Sequence, residues 1–147
     1  MYKSLLVAVD GSEQSYKALD HAVAIAEKFD SELVLLTVIP TMIVPFCPDE
    51  GFSPIAYTKC QERVNEFYHN ILKDVDEMVN MKHPNLNIRT VLREGRPSAI
   101  IVDVAEKEGC DMIVMGSRGI GGIKGWLLGS TSHWVAASCN KPVMILK

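Results

Sequence analysis

Leu5-Leu6-Val7-Ala8-Val9, broken at once by Asp10-Gly11-Ser12, is the stretch that decides the fold. An apolar run with no polar alternation is buried on both faces, as in a central strand of a parallel sheet. Ser12 suits the N-cap of a following helix, and Glu13 suits its first turn. In that helix Ala18, Ala22, Ile25, Ala26 and Phe29 recur at helical spacing and are expected to face the core. Leu33 to Ile39 reads as a second buried strand, ended by Pro40.

Beyond it the same alternation continues. Thr41 to about Pro54 contains Pro45, Pro48, Gly51 and Pro54 and reads as a long loop. A long helix follows, with Val64, Phe67, Tyr68, Ile71, Leu72, Val75, Met78 and Val79 on one stripe. His83-Pro84-Asn85 ends it. Leu86 to Leu92 alternates weakly, as a strand nearer the sheet edge would. Gly95-Arg96-Pro97 is a turn, with Pro97 near a helix start. Ile100, Ile101, Val104 and Ala105 form the next apolar face, and Gly109 suits the C-terminal cap. Met112 to Met115 is a fourth buried strand, Ser130 to Ser138 a short helix, and Pro142 to Leu146 a last strand.

Strands alternating with helices imply an α/β fold. With right-handed crossovers it becomes a single doubly wound, Rossmann-like domain over residues 1–147, a five-stranded parallel sheet with helices on both faces. Such sheets take ligands beyond the carboxyl ends of their strands, where strand order reverses. That rule nominates Asp10-Gly11-Ser12, Val38-Ile39-Pro40 and Met115-Gly116-Ser117-Arg118-Gly119.

Composition narrows the function classes. Hydrophobic residues make up 48% of the chain, enough for a packed core. Net charge is -3 and the basic residues are scattered, unlike the stripe of a nucleic-acid binder. The apolar start is too short for a signal peptide or a membrane span, so a cytoplasmic protein is expected. Cys47, Cys60, Cys110 and Cys139 form no C-x-x-C pair and no zinc spacing, and read as free thiols.

Gly116 to Ser132 holds six glycines. Glycine lets a ligand approach the main chain, and successive N–H groups can converge on an anion. Gly129-Ser130-Thr131-Ser132 leads into a helix whose first N–H groups suit a phosphate. Ser130, Thr131 and Ser132 are expected to add hydroxyl donors. The segment is neither a Walker A loop nor G-x-G-x-x-G, since Lys124 occupies the last position of the latter.

At this point the residues resemble a known family. The spacing G-x2-G-x9-G-[S/T] falls on Gly116, Gly119, Gly129 and Ser130. Val7 to Ser12, Gly95-Arg96-Pro97, Asp111 to Gly116 and Lys141 to Ile145 add to the likeness. The chain resembles the nucleotide-binding branch of the universal stress proteins over its whole length. The resemblance implies ATP, or ADP or AMP, with Mg or Mn on the phosphates. It implies that Asp10 and Gly116 contact ribose, Val38 contacts adenine, and Gly119, Gly129, Ser130 and Thr131 hold phosphates. It also implies a homodimer paired through the last strand, Pro142 to Lys147.

Asp10 can accept hydrogen bonds from ribose hydroxyls or can cap the following helix. Arg118 and Lys124 are candidates for neutralising phosphate charge. His133 has no nucleophile elbow beside it and reads as a helix-surface residue, so no catalytic residue is assigned. Trp126 and Trp134 read as packing residues. A phosphate cradle without a general base or activated nucleophile favours a nucleotide-dependent sensor in stress response. A slow ATP hydrolase or adenylate-handling enzyme, and a dimerisation domain with a vestigial site, are the alternatives.

Overall fold

The computed structural model describes residues 1–41, 54–119 and 128–147. The expected long loop therefore falls outside the described residues over 42–53, as do Lys124 and Trp126. Within them the order is β1 (Ser4–Ala8), α1 (Glu13–Phe29), β2 (Glu32–Pro40), α2 (Pro54–Lys82), β3 (Ile88–Gly95), α3 (Pro97–Lys107), β4 (Met112–Gly116), α4 (Ser130–Ser138) and β5 (Val143–Leu146). The described strands form one sheet in the order β3-β2-β1-β4-β5. Every pairing is parallel. The chain winds outward from β1 to β3, then returns to place β4 on the other side of β1. Strand order thus reverses between β1 and β4, opening a crevice at their carboxyl ends.

The uninterrupted apolar runs follow from burial on both faces. Leu5, Val7, Leu33, Leu35 and Val114 face one layer, packed against Ala18, Ala22 and Ala26 of α1 and Leu72, Val75 and Val79 of α2. Leu6, Val34, Leu36 and Ile113 face the other, against Ile101, Val104 and Ala105 of α3 and Val135 of α4. Each fully buried leucine among them contributes about 2 kcal/mol relative to exposure. The alanines let α1 lie close to the sheet.

Local signals set the helix ends. Ser12 caps α1, its hydroxyl accepting from the Ser15 N–H at 3.2 Å. Pro97 occupies the first turn of α3. Gly109, at φ +66°, ends α3 with paired return bonds, from its own N–H to Glu106 and from the Cys110 N–H to Ala105. That is a Schellman cap, and the left-handed position is why a glycine stands there.

Three expectations need correction. Phe29 is 46% exposed rather than in the core. It lies at the last turn of α1, where its ring packs perpendicular to that of Tyr2, the ring centres 5.5 Å apart. The α2 stripe enters the core only in its second half, and Phe67 is 50% exposed. Strand β3 starts two residues later than the alternation suggested. Leu86 instead donates its N–H to the His83 carbonyl in a turn, and the ladder then runs on to the Pro40–Gly95 pair. β3 is an edge strand, as its weak alternation implied.

Candidate functional site

The crevice at the strand reversal encloses about 520 Å³. It draws on the carboxyl ends of β1, β2 and β4 and the amino ends of α3 and α4.

On the β1 side, Asp10 follows the strand directly. Its Oδ1 accepts the Ser12 N–H at 2.9 Å, which bends the chain into α1. Its Oδ2 lies against Gly119, where an added Cβ would come within 2.5 Å of it. One carboxylate therefore holds the turn and abuts the glycine loop. Ser12 joins the same two segments, its hydroxyl donating to the Arg118 carbonyl at 3.5 Å. Gly11 takes φ +86°, which suits its missing side chain at this turn.

On the β4 side, the glycines have steric reasons to be glycines. A Cβ on Gly116 would lie 2.7 Å from Gln14 Cβ and 2.9 Å from the Gln14 carbonyl carbon. The end of β4 thus touches the first turn of α1. A Cβ on Gly129 would come within 3.0 Å of the Ser117 carbonyl oxygen. Gly129 donates its N–H to that same oxygen at 2.6 Å. Ser117 N–H in turn donates to the Leu146 carbonyl at 2.7 Å, tying the loop to β5.

Gly129 is the N-cap of α4 and supplies no side-chain acceptor to the helix. The first-turn N–H groups, at the positive end of the helix dipole, adjoin the cleft. Ser130 and Thr131 line it there. Ser132 differs from expectation. It is 1% exposed, and its hydroxyl donates to the Ser117 carbonyl at 2.8 Å, with the Gly129 carbonyl at 3.1 Å. It clasps the two ends of the glycine segment, so its hydroxyl is already committed.

Of the residues expected at the site, Asp10, Val38, Pro40, Met115 and the run Gly116 to Gly119 line the cleft, as do Gly129 to Ser132. Gly11, Ser12 and Ile39 do not. Strand alternation sends Val38 toward the cleft and turns Ile39 to the other face. His133 is exposed on α4. Trp134 is half-buried, with the Arg96 guanidinium 5.7 Å from its ring centre.

Sequence reasoning missed Ala8, Val9, Leu36, Tyr68, Pro97, Ile101 and Leu128, which also line the cleft. Leu36 and Ile101 read simply as core, and they are core residues whose side chains close the floor. Tyr68 stood on the α2 stripe. A tyrosine where a stripe leaves the core was the available signal, since its hydroxyl needs a polar surrounding. Burial pushes its phenol pKa up, and the neighbouring Asp10 carboxylate adds to the effect.

Among the described residues, no group of three or more His, Cys, Asp and Glu side chains could hold a metal ion. Asp10 is the one acidic residue lining the cleft among them. No described helix is long and apolar enough to cross a membrane.

Fold and cleft together define a doubly wound α/β protein with a ligand crevice at its strand reversal. The family model described as the universal stress protein family matches residues 1–147. Universal stress protein YxiE of Bacillus subtilis is 35% identical over 150 residues, covering all of both chains. The solved structure of MJ0577 from Methanocaldococcus jannaschii superposes with a TM-score of 0.83 at 30% identity, covering all of this chain and 96% of that one. A universal stress protein solved in complex with cAMP superposes with a TM-score of 0.70 at 25% identity, covering 99% of this chain and 97% of that one. The chain belongs to the universal stress protein family.

Proposed function

We propose that this chain binds an adenine nucleotide in the crevice and acts as a nucleotide-dependent regulatory module of the stress response, in a cytoplasmic setting. The observation that carries the reading is the convergence, in one cleft, of the Asp10 carboxylate, the Gly116–Gly119 turn and the start of α4. A carboxylate suits the paired hydroxyls of a ribose. Glycine backbone and helix N–H groups suit phosphates. Apolar Val38 and Pro40 suit a base. The relative solved with cAMP holds a ligand of that chemistry.

In this reading Gly119, Gly129, Ser130 and Thr131 hold the phosphates. Ser117 and Ser132 join the two described ends of the glycine segment. ATP, ADP and AMP are the candidate ligands. With Asp10 the one carboxylate lining the cleft among the described residues, a Mg or Mn ion would be held mainly by the nucleotide's own phosphates. No group in the cleft is assigned to catalysis.

The same reading includes a homodimer through Pro142 to Lys147. β5 pairs with β4 alone among the described strands, and Val143 to Leu146 are all half-buried in the single chain. An open, apolar edge strand of this kind suits a second copy.

Calorimetric titration of the folded protein with ATP, ADP and AMP tests the reading. Saturable binding of at least one is expected, with binding lost in Gly129→Asp, which sets a negative charge at the start of α4. Absence of heat and of any thermal shift with all three would remove the reading, because a ligand of the native state must raise its melting temperature.

A further inference from the structure

The cleft is chemically divided along the sheet. Over β2 it is apolar, walled by Leu36, Val38, Pro40 and Ile101. Over β4 and α4 it is polar, formed by the glycine turn and the hydroxyls of Ser130 and Thr131. Nearly all of this lining comes from the sheet edge and from the layer of α3 and α4. Tyr68 is the exception. It is the one described lining residue that stands on a helix of the opposite layer, that of α1 and α2.

Its position is explained by α2, which packs Leu72, Val75 and Val79 under the sheet. One turn before Leu72 the helix passes the end of β2, and Tyr68 reaches over that edge. With Pro40 it lines both the cleft and a shallow depression outside, beside Val64 and Phe67. The phenol thus forms part of the partition that closes the apolar half.

We propose that Tyr68 is a nucleoside-binding residue of this site: its ring walls the nucleoside end of the cleft, and its hydroxyl donates to a polar atom of the nucleoside beside Asp10. The inference rests on the adenine-nucleotide reading and deepens it. A ring at the β2 end lies on the side of the base and ribose rather than of the phosphates. A flat aromatic face adds to the apolar lining that Val38 supplies in the same cleft. The phenol is protonated at neutral pH, as tyrosine ordinarily is, so it serves as a donor where Asp10 serves as an acceptor.

The test compares Tyr68→Phe, Tyr68→Ala and Ser130→Ala with the unsubstituted protein, titrated with adenosine, AMP and ATP. Tyr68→Ala is expected to weaken all three by the same factor, about tenfold, as lost ring contact would. Tyr68→Phe keeps the ring and is expected to weaken all three by about threefold, the loss of one hydrogen bond. Ser130→Ala should weaken the phosphorylated ligands and spare adenosine. Equal affinities in both Tyr68 variants and the parent would overturn the inference while leaving the nucleotide reading intact. So would a loss confined to ATP. If the parent binds none of the three, both fail together. Should Tyr68→Ala not fold, as judged by circular dichroism, Tyr68→Phe decides alone.

Discussion

At the amino ends of the strands, polar groups pair with one another. Arg89 on β3 lies between Glu32 on β2 and Glu108 at the end of α3, with two contacts of 3.2 Å to Glu32. The Asp111 carboxylate accepts the N–H groups of Lys3 and Ser4 at 2.7 and 3.1 Å. At the carboxyl ends the sheet opens instead of closing. There the start of α4 has a glycine cap without a side-chain acceptor, and a cleft of about 520 Å³ adjoins it. The same parallel ladder runs between both ends, so the difference lies in the connections. At the amino ends, charged groups at the starts of strands and the end of α3 neutralise one another. Among the described residues, the polar groups beyond the carboxyl ends of β1 and β4 are main-chain groups, short hydroxyls and the side chains of Asp10 and Arg118. A substitution at the closed end should therefore touch stability alone. One at the open end should touch stability and nucleotide affinity together.

The largest effect is expected at Gly116. Its backbone approaches Gln14 so closely that a Cβ would sit 2.9 Å from a backbone carbon, which no side-chain rotation relieves. Gly116→Ala must push β4 and α1 apart at the cleft. We expect a loss of about 2–3 kcal/mol in denaturant unfolding, in the range of overpacked cores. Nucleotide affinity should fall in the same variant. A variant as stable as its parent would show that this end of the sheet is not tightly constrained.

Ser132→Ala comes next. It removes a buried donor from the Ser117 and Gly129 carbonyls and should cost about 1–2 kcal/mol. Because the same hydroxyl clasps the glycine segment, ATP affinity should drop with it. Unchanged affinity at reduced stability would break the proposed link between loop shape and binding.

Much of this contrast was legible in the sequence, and the exceptions have physical causes. Apolar runs at Leu5–Val9 and Met112–Met115 announced central strands because burial on two faces leaves no polar alternation. The spacing of Gly116, Gly119 and Gly129 announced the open end. Periodicity could not say where a helical stripe leaves the core, so Phe67 and Tyr68 read alike although Tyr68 reaches the cleft. Nor could residue type say that the Ser132 hydroxyl is buried against two carbonyls while Ser130 is exposed. Both are serines at the same helix start, separated by two positions and therefore by half a helical turn. The amino-end pairs were invisible for a simpler reason. Arg89, Glu32 and Glu108 lie far apart in the chain, and only the strand register brings them together.

Arg89→Ala tests the closed end. It leaves two half-buried carboxylates without their shared partner, and a loss of about 1 kcal/mol is expected, given that all three side chains are partly exposed to water. Calorimetry should return the parent's nucleotide affinity. A drop in affinity would mean that the two ends of the sheet are coupled, and the contrast drawn above would fail.

The smallest effect is expected at Asp111, where pH supplies the probe. Hydrogen bonds from the Ser4 and Lys3 N–H groups hold its carboxyl below the ordinary carboxylate range. The folded protein therefore binds this proton more weakly than the unfolded chain does. The stabilisation is fully present above the unfolded value, near pH 4, and is lost as pH falls through the lowered folded value. Asp111→Asn keeps one acceptor oxygen and removes the titration. Urea midpoints measured from pH 6 downward should converge for parent and variant at the acid end, with the parent the more stable above it. Curves that stay parallel throughout would show that these two N–H groups stabilise the charged and neutral carboxyl alike, and that the closed end draws its stability from Arg89 and its two glutamates.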